Sequence, residues 1–245
     1  MEEAVYQVFE DLLRREDRRP RMRDYIKEAS KREVSGVKVL KKLYGSYNHA
    51  VDRFLQLYHE RNGFYEIPDY LLGCIVGTAT LVKSTARSGL ALLFSSSNAS
   101  ELETIKPFLN RYAEWGPNER GMHFIECYDY KLISSLHHMG FPDHLPFRAT
   151  VDFVRGYCDT HASLFSYQNR HGNTCLRLEV TGTEEFVSKL RDFLIQLSAS
   201  ETKLQKARTT CKWHINTLSL VKIRDHLYPD GCVCNQAKRQ LLYSV

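Results

Sequence analysis

The sequence predicts an α+β fold in which a small all-helical, helix-turn-helix-like domain precedes a pseudo-twofold domain made of two copies of one αββαβα unit. Three observations carry this. Apolar residues recur at three- and four-residue intervals through the first sixty positions; strand-like runs alternate with helical ones from Gly63 onward; and the later part repeats itself, Gly73 to Gly156 spanning 83 positions and Pro142 to Pro229 spanning 87. The expected boundaries are 1–60 for the helical module, 64–147 for the first repeat and 148–245 for the second. The chain's 245 residues suffice for this, and 43% apolar with 26% charged residues excludes wholesale disorder and low-complexity repeats.

In the first segment, Ala4, Val5, Val8, Phe9, Leu12 and Leu13 form one amphipathic stripe that should end between Asp17 and Pro20. Met22, Tyr25, Ile26 and Ala29 mark a second helix. Ser35 suits the N-cap of a third carrying Val37, Leu40 and Leu43, which Gly45 closes; Tyr47, Ala50, Val51, Phe54 and Leu55 make a fourth. These helices are rich in bases, among them Lys38, Lys41 and Lys42, but Glu and Asp are interleaved with them. That pattern fits either a helix-turn-helix-like DNA-binding unit or a helical bundle with ordinary surface charge. The run Tyr44-Gly45-Ser46-Tyr47-Asn48-His49-Ala50, after Arg19-Pro20 and Tyr25, resembles the short repeat that accompanies homing endonucleases and related DNA-binding proteins. The likeness covers roughly residues 8–57 and implies a small DNA-binding module.

The two repeats begin with matching apolar runs, Tyr70-Leu71-Leu72-Gly73-Cys74-Ile75-Val76-Gly77 and Phe153-Val154-Arg155-Gly156-Tyr157-Cys158. Strands follow at Leu90–Phe94 and Cys175–Val180, then polar turns at Ser96-Ser97-Asn98 and Thr181-Gly182-Thr183 that open helices, and each copy closes on an aromatic-Pro-Asp turn. A small residue inside each helical run lets two helix backbones come close, so Gly73 and Gly156 are expected at the interface between the copies.

This pattern resembles the LAGLIDADG family, duplicated in one chain, over about residues 64–245. The resemblance implies that the paired motif helices form the interface and that an Asp or Glu at each motif's eighth position holds divalent metal for phosphodiester cleavage. Here those positions are Thr78 and His161. Neither offers a carboxylate to a hard cation, so nuclease chemistry, and with it any metal or other cofactor, is not expected. Asp159, the acid inside a motif, stands at the sixth position.

What the resemblance leaves is binding of long, pseudo-palindromic double-stranded DNA by two antiparallel sheets. The first sheet would present Lys83, Ser84, Arg87 and Thr85; the second would present Tyr167, Gln168, Asn169, Arg170, His171 and Arg177. Lys203, Lys206 and Arg208, with Lys212, Lys238 and Arg239, suit phosphates rather than base edges. A non-cutting binder of this kind acts as a transcription regulator, and a repressor by occlusion of polymerase. The rivals are an active or cryptic LAGLIDADG endonuclease, an intron RNA-splicing maturase and a protein-interaction scaffold. An internal pseudo-dimer needs no second copy, so a monomer on DNA is expected.

No apolar run approaches the ~20 residues of a membrane span, and the Met1-Glu2-Glu3 start is unlike a secretory signal. A cytoplasmic protein is expected. The seven cysteines read as reduced packing residues. Cys211-Lys212-Trp213-His214 with Cys232-Val233-Cys234 has no strong zinc spacing.

Overall fold

The computed structural model describes residues 1–16, 19–83, 90–197, 199–200, 202–206 and 210–244. They form two compact units, one of Met1–Glu66 with Asp129–Ser135 and one of Ile67–Tyr128 with Leu136–Val245.

The first unit contains α1 (Glu3–Glu16), α2 (Met22–Lys31), α3 (Val37–Tyr44) and α4 (Tyr47–Asn62). The stripe of α1 meets the other helices in one core, where Phe9 stacks 4.7 Å from Tyr25 and 5.2 Å from Phe54, centroid to centroid. Burying one such aromatic contributes roughly 1.5–3 kcal/mol. The Gly45-Ser46 turn explains its own sequence. Gly45 takes φ 77°, which a side chain would strain, and the Ser46 hydroxyl caps α4 by accepting from His49 N at 3.1 Å. Tyr47 and Ala50, one turn further on, are buried.

The second unit shows the duplication element by element. The first copy runs α5 (Asp69–Thr78), β1 (Thr80–Lys83), β2 (Leu90–Ser96), α6 (Ala99–Glu103), β3 (Tyr112–Trp115), β4 (His123–Cys127) and α7 (Tyr130–His138), whose opening residues group with the helical unit. The second runs α8 (Val151–Thr160), β5 (Ser163–Gln168), β6 (Thr174–Gly182), α9 (Glu184–Gln196), β7 (Gln205–Lys206), β8 (Cys211–Asn216) and α10 (Thr217–Leu227), with α11 (Gln236–Leu242) added. The sheets are antiparallel with matching orders, β1-β2-β4-β3 and β5-β6-β8-β7. The expected αββαβα order is present in both copies, and each gains one short edge strand, β3 or β7. All residues of these strands are exposed, so they carry no alternating apolar signal.

Helices cover one face of each sheet. Leu92, Phe94, Ile125 and Cys127 are buried on the first, and Leu176, Leu178, Val180, Trp213 and Ile215 on the second. The turn residues Asn98 and Thr183 cap α6 and α9 by accepting from Ser100 N and Phe186 N.

Helices α5 and α8 pack backbone to backbone. A Cβ on Gly73 would fall well inside contact distance of Phe153 O, and one on Gly156 inside that of Tyr70 O. Each glycine thus meets the carbonyl three residues before its counterpart, which is the reciprocity a twofold requires. At their start, Thr150 caps α8 and donates to Asp69 Oδ2 at 2.7 Å, while Arg148 donates to Asp69 Oδ1 at 2.5 Å. Burial opposes ionisation of Asp69, but these two donors hold its carboxyl below the ordinary range.

Candidate nucleic-acid interface

The ends of α5 and α8 carry the two positions where the resemblance implies acids. Thr78 is the last residue of α5, and its hydroxyl donates to Ser95 O at 3.1 Å on β2. His161 follows α8, with Nδ1 2.7 Å from Gly77 O and Nε2 2.9 Å from Thr181 O. The ring therefore joins the ends of both motif helices to the central strand of the second sheet. Both nitrogens lie against carbonyl oxygens, of which a neutral ring can donate to one. Among the described residues no group of three or more His, Cys, Asp or Glu side chains is placed to hold a metal, and the seven cysteines are free thiols.

Asp159 lies two residues before His161 on α8, buried, and accepts from Tyr70 OH, Tyr228 OH and Asn235 N at 2.8–2.9 Å. Burial pushes its carboxyl up against the opposing pull of those donors. Lys238 Nζ donates to Cys158 O, Asp159 O and Ala162 O at 2.8–3.0 Å, a cation on the carbonyl end of the helix. Arg155, also buried, donates to Val233 O and Leu227 O. These contacts fasten the chain around residues 227–238 to α8. Lys238, expected to face phosphate, is held instead inside this network, and Arg239 pairs with Asp230 at 2.6 Å.

Strand register assigns the open faces. On the second sheet, Phe165, Arg177 and Asn216 form one cross-strand row, and Ser163, Glu179 and His214 the next. The Arg177 guanidinium lies 5.0 Å from the Tyr167 ring centre, and Lys212 pairs with Glu179 at 2.8 Å. Gln168 ends β5, with its amide on Thr174 Oγ1. In the turn beyond it, the Asn169 carboxamide oxygen accepts from His171 N and Asn173 N, so that side chain shapes the turn, while Arg170 and His171 are exposed. Lys206 pairs with Glu184 at 2.5 Å, and Lys203 is exposed.

The first sheet's open face differs in kind. Thr80, Leu93, Glu126 and Ala113 form one row, and Ser95, Phe124 and Trp115 another, with Trp115 stacked on Phe124 at 5.4 Å. Lys83 ends β1, exposed and in register with Leu90. Ser84, Thr85, Arg87 and Arg208 lie outside the described residues. The apolar members of this face, which reasoning from residue type passed over, follow from strand parity once the register is known.

In the helical unit, ion pairs join α1, α2 and α4: Arg32 to Asp11 at 2.7 Å, Arg61 to Glu3 at 3.0 Å and Arg19 to Asp52 at 2.7 Å. Lys38, Lys41 and Lys42 on α3 are exposed and make no ion pair among the described residues. Arg21, Arg23 and Lys27, at and within α2, are likewise exposed without an ion pair among the described residues.

No family model and no curated protein matches this sequence. The chain is similar at low identity to solved LAGLIDADG homing endonucleases. The LAGLIDADG meganuclease I-AabMI bound to uncleaved DNA aligns with TM-score 0.49 and 11% identity, over 70% of this chain and 86% of its own. I-DmoI in complex with DNA and Ca gives 0.48 and 15%, over 69% and 93%. The LAGLIDADG meganuclease I-CpaMI bound to uncleaved DNA gives 0.49 and 7%, over 72% and 88%. No described helix is long and apolar enough to cross a membrane.

Proposed function

We propose that this chain binds long, pseudo-palindromic double-stranded DNA with sequence preference, does not cut it, and acts in the cytoplasm as a transcription regulator that represses by occlusion. The observation that carries the reading is the state of the two helix ends. A hard divalent cation seeks carboxylate, carbonyl and water oxygens. Thr78 brings a neutral hydroxyl already donating to Ser95 O, and both nitrogens of His161 lie against carbonyls. These positions do not fit Mg²⁺. What remains is a twofold scaffold with side chains suited to base edges and phosphates: Arg170, His171 and Arg177 on the second sheet, Lys203 beside it, and the unpaired lysines of α3 in the helix-turn-helix-like module. Because the twofold is internal, one chain serves a whole site.

The test is selection of duplexes from a randomised library by the full chain, followed by affinity measured against salt. Saturable binding of an enriched duplex, weakening linearly in log–log with salt, is expected. The bound duplex should stay intact with Mg²⁺ or Mn²⁺. Metal-dependent nicking would restore the endonuclease reading, preference for RNA over duplex DNA would favour a splicing role, and binding of neither would leave a protein scaffold.

A further inference from the structure

Resting on that reading, we propose that the two halves of the DNA site are recognised by different chemistry: the second sheet reads purine edges by hydrogen bonds, and the first reads thymine methyl groups by apolar contact. The two copies share strand order, so matching strands carry matching rows to their open faces. What those rows hold is not matched. The second sheet sets Arg177 at the centre of its middle strand, flanked across the ladder by Phe165 and Asn216 and laid against the Tyr167 ring. A guanidinium fixed by an aromatic face loses little freedom on binding and presents a fork that matches O6 and N7 of guanine. Asn216 beside it caps α10, its carboxamide oxygen accepting from Ser219 N at 3.1 Å, so Arg177 is the side chain of this row left to read a base edge.

On the first sheet the row matching Arg177's holds Val82 and Ala91, neither with a hydrogen-bonding side chain, and Leu93 and then the stacked Trp115 and Phe124 follow in the next two rows. These side chains have nothing to donate to O6 or N7. They offer a surface on which the C5-methyl of thymine is the group of the major groove that gains by contact. Glu126, in Leu93's row, is buried and accepts from Tyr128 OH, so it is not presented at this surface. Continuity between the two sheets, joined through the α5–α8 pair, is what makes the apolar face part of a DNA site.

The test uses the duplex selected by the full chain. Thymine is replaced by deoxyuracil in one half or the other, removing only methyls, and guanine by 7-deazaguanine, removing only the N7 acceptor. Deoxyuracil should weaken binding in one half alone, up to about fourfold per contacted methyl. The 7-deaza change should weaken it in the opposite half, by about tenfold where a bidentate contact is lost. Arg177→Ala should abolish the second sensitivity and spare the first, whereas Trp115→Ala should do the reverse. Equal sensitivity of both halves to both changes, or sensitivity unmoved by either variant, would overturn the proposal while leaving DNA binding intact. Failure to enrich any duplex would instead overturn the reading on which it rests.

Discussion

Replacing Gly73 by Ala tests the helix pair with a result whose sign discriminates. In a helix free of neighbours the change favours folding by about 0.8–1.0 kcal/mol, because Ala is the better helix former. Here the new methyl would collide with Phe153 O and lie 2.8 Å from Tyr157 N, both backbone atoms of α8 that no rotamer change can remove. The helices would have to part by on the order of 1 Å in a close-packed interior. Overpacking of this kind costs about 1–3 kcal/mol, and a rigid backbone obstacle belongs at the upper end. The net loss is about 2 kcal/mol. With a urea slope near 3 kcal/mol/M for a chain of this size, the midpoint should fall by roughly 0.7 M. Tryptophan fluorescence reads the correct unit, since Trp115 and Trp213, the chain's two tryptophans, both lie in it and Trp213 is fully buried. Gly156→Ala should behave alike, and the double variant should lose less than the sum, because helices already parted accept the second methyl. Gly77→Ala should cost less, the obstacle there including the Thr160 hydroxyl, which can rotate. A midpoint unchanged or raised in Gly73→Ala would refute the close approach.

Asp69 ionises more readily folded than unfolded, so it adds stability above its unfolded value near pH 4 and loses it as the pH falls through the lower folded value. Asp69→Asn should therefore lower the midpoint at pH 7 and flatten its decline towards pH 3, as fluorescence-monitored urea titrations at each pH would show; a parallel decline would contradict the Arg148 and Thr150 contacts. Lys238→Met, which keeps the stem and removes three donated hydrogen bonds, should cost about 2–4 kcal/mol. A loss under about 0.5 kcal/mol in the same denaturation assay would mean the ammonium is solvated. In competition binding, Arg170→Ala should relax base preference, whereas Lys206→Ala should weaken all duplexes about equally. Equal loss of discrimination from both would contradict readout by the second sheet.

The duplication was legible because close helix packing admits few residues: Gly73 and Gly156 mark their own positions, and the caps at Asn98 and Thr183 mark the same turn twice. The helical unit was legible for a similar reason, since a positive φ at Gly45 and a capping hydroxyl at Ser46 leave little choice of residue. Edge strands β3 and β7 were not, because a strand exposed on both faces imposes no period. Residue type also misdirected where charge is buried. Lys238 reads as a surface base, yet the carbonyls that hold it lie about eighty positions earlier, at Cys158, Asp159 and Ala162. The open faces needed register: Leu93, Phe124 and Trp115 share a face only once β2, β4 and β3 are aligned.

The copies diverge where the chain continues past α10. At the repeat spacing, Leu72 and Val76 of α5 correspond to Arg155 and Asp159 of α8. The first pair sits in the apolar or half-buried surface usual for a packed helix; the second carries two charges into the interior. Burying charge is unfavourable unless every donor and acceptor is met. Here the partners are Tyr228, Asn235 and the carbonyl of Val233 from the segment between α10 and α11, the carbonyl of Leu227 at the end of α10, Asp152 within α8 and Tyr70 from the opposite helix. An apolar pair at these positions would have accepted many packings of that segment, whereas this set of hydrogen bonds is satisfied by one. The charges thus fix where the C-terminal segment docks, and through α8 they fix the helix end from which His161 reaches Gly77 O and Thr181 O. The end of α8 is thus held in position by carbonyls and buried charge.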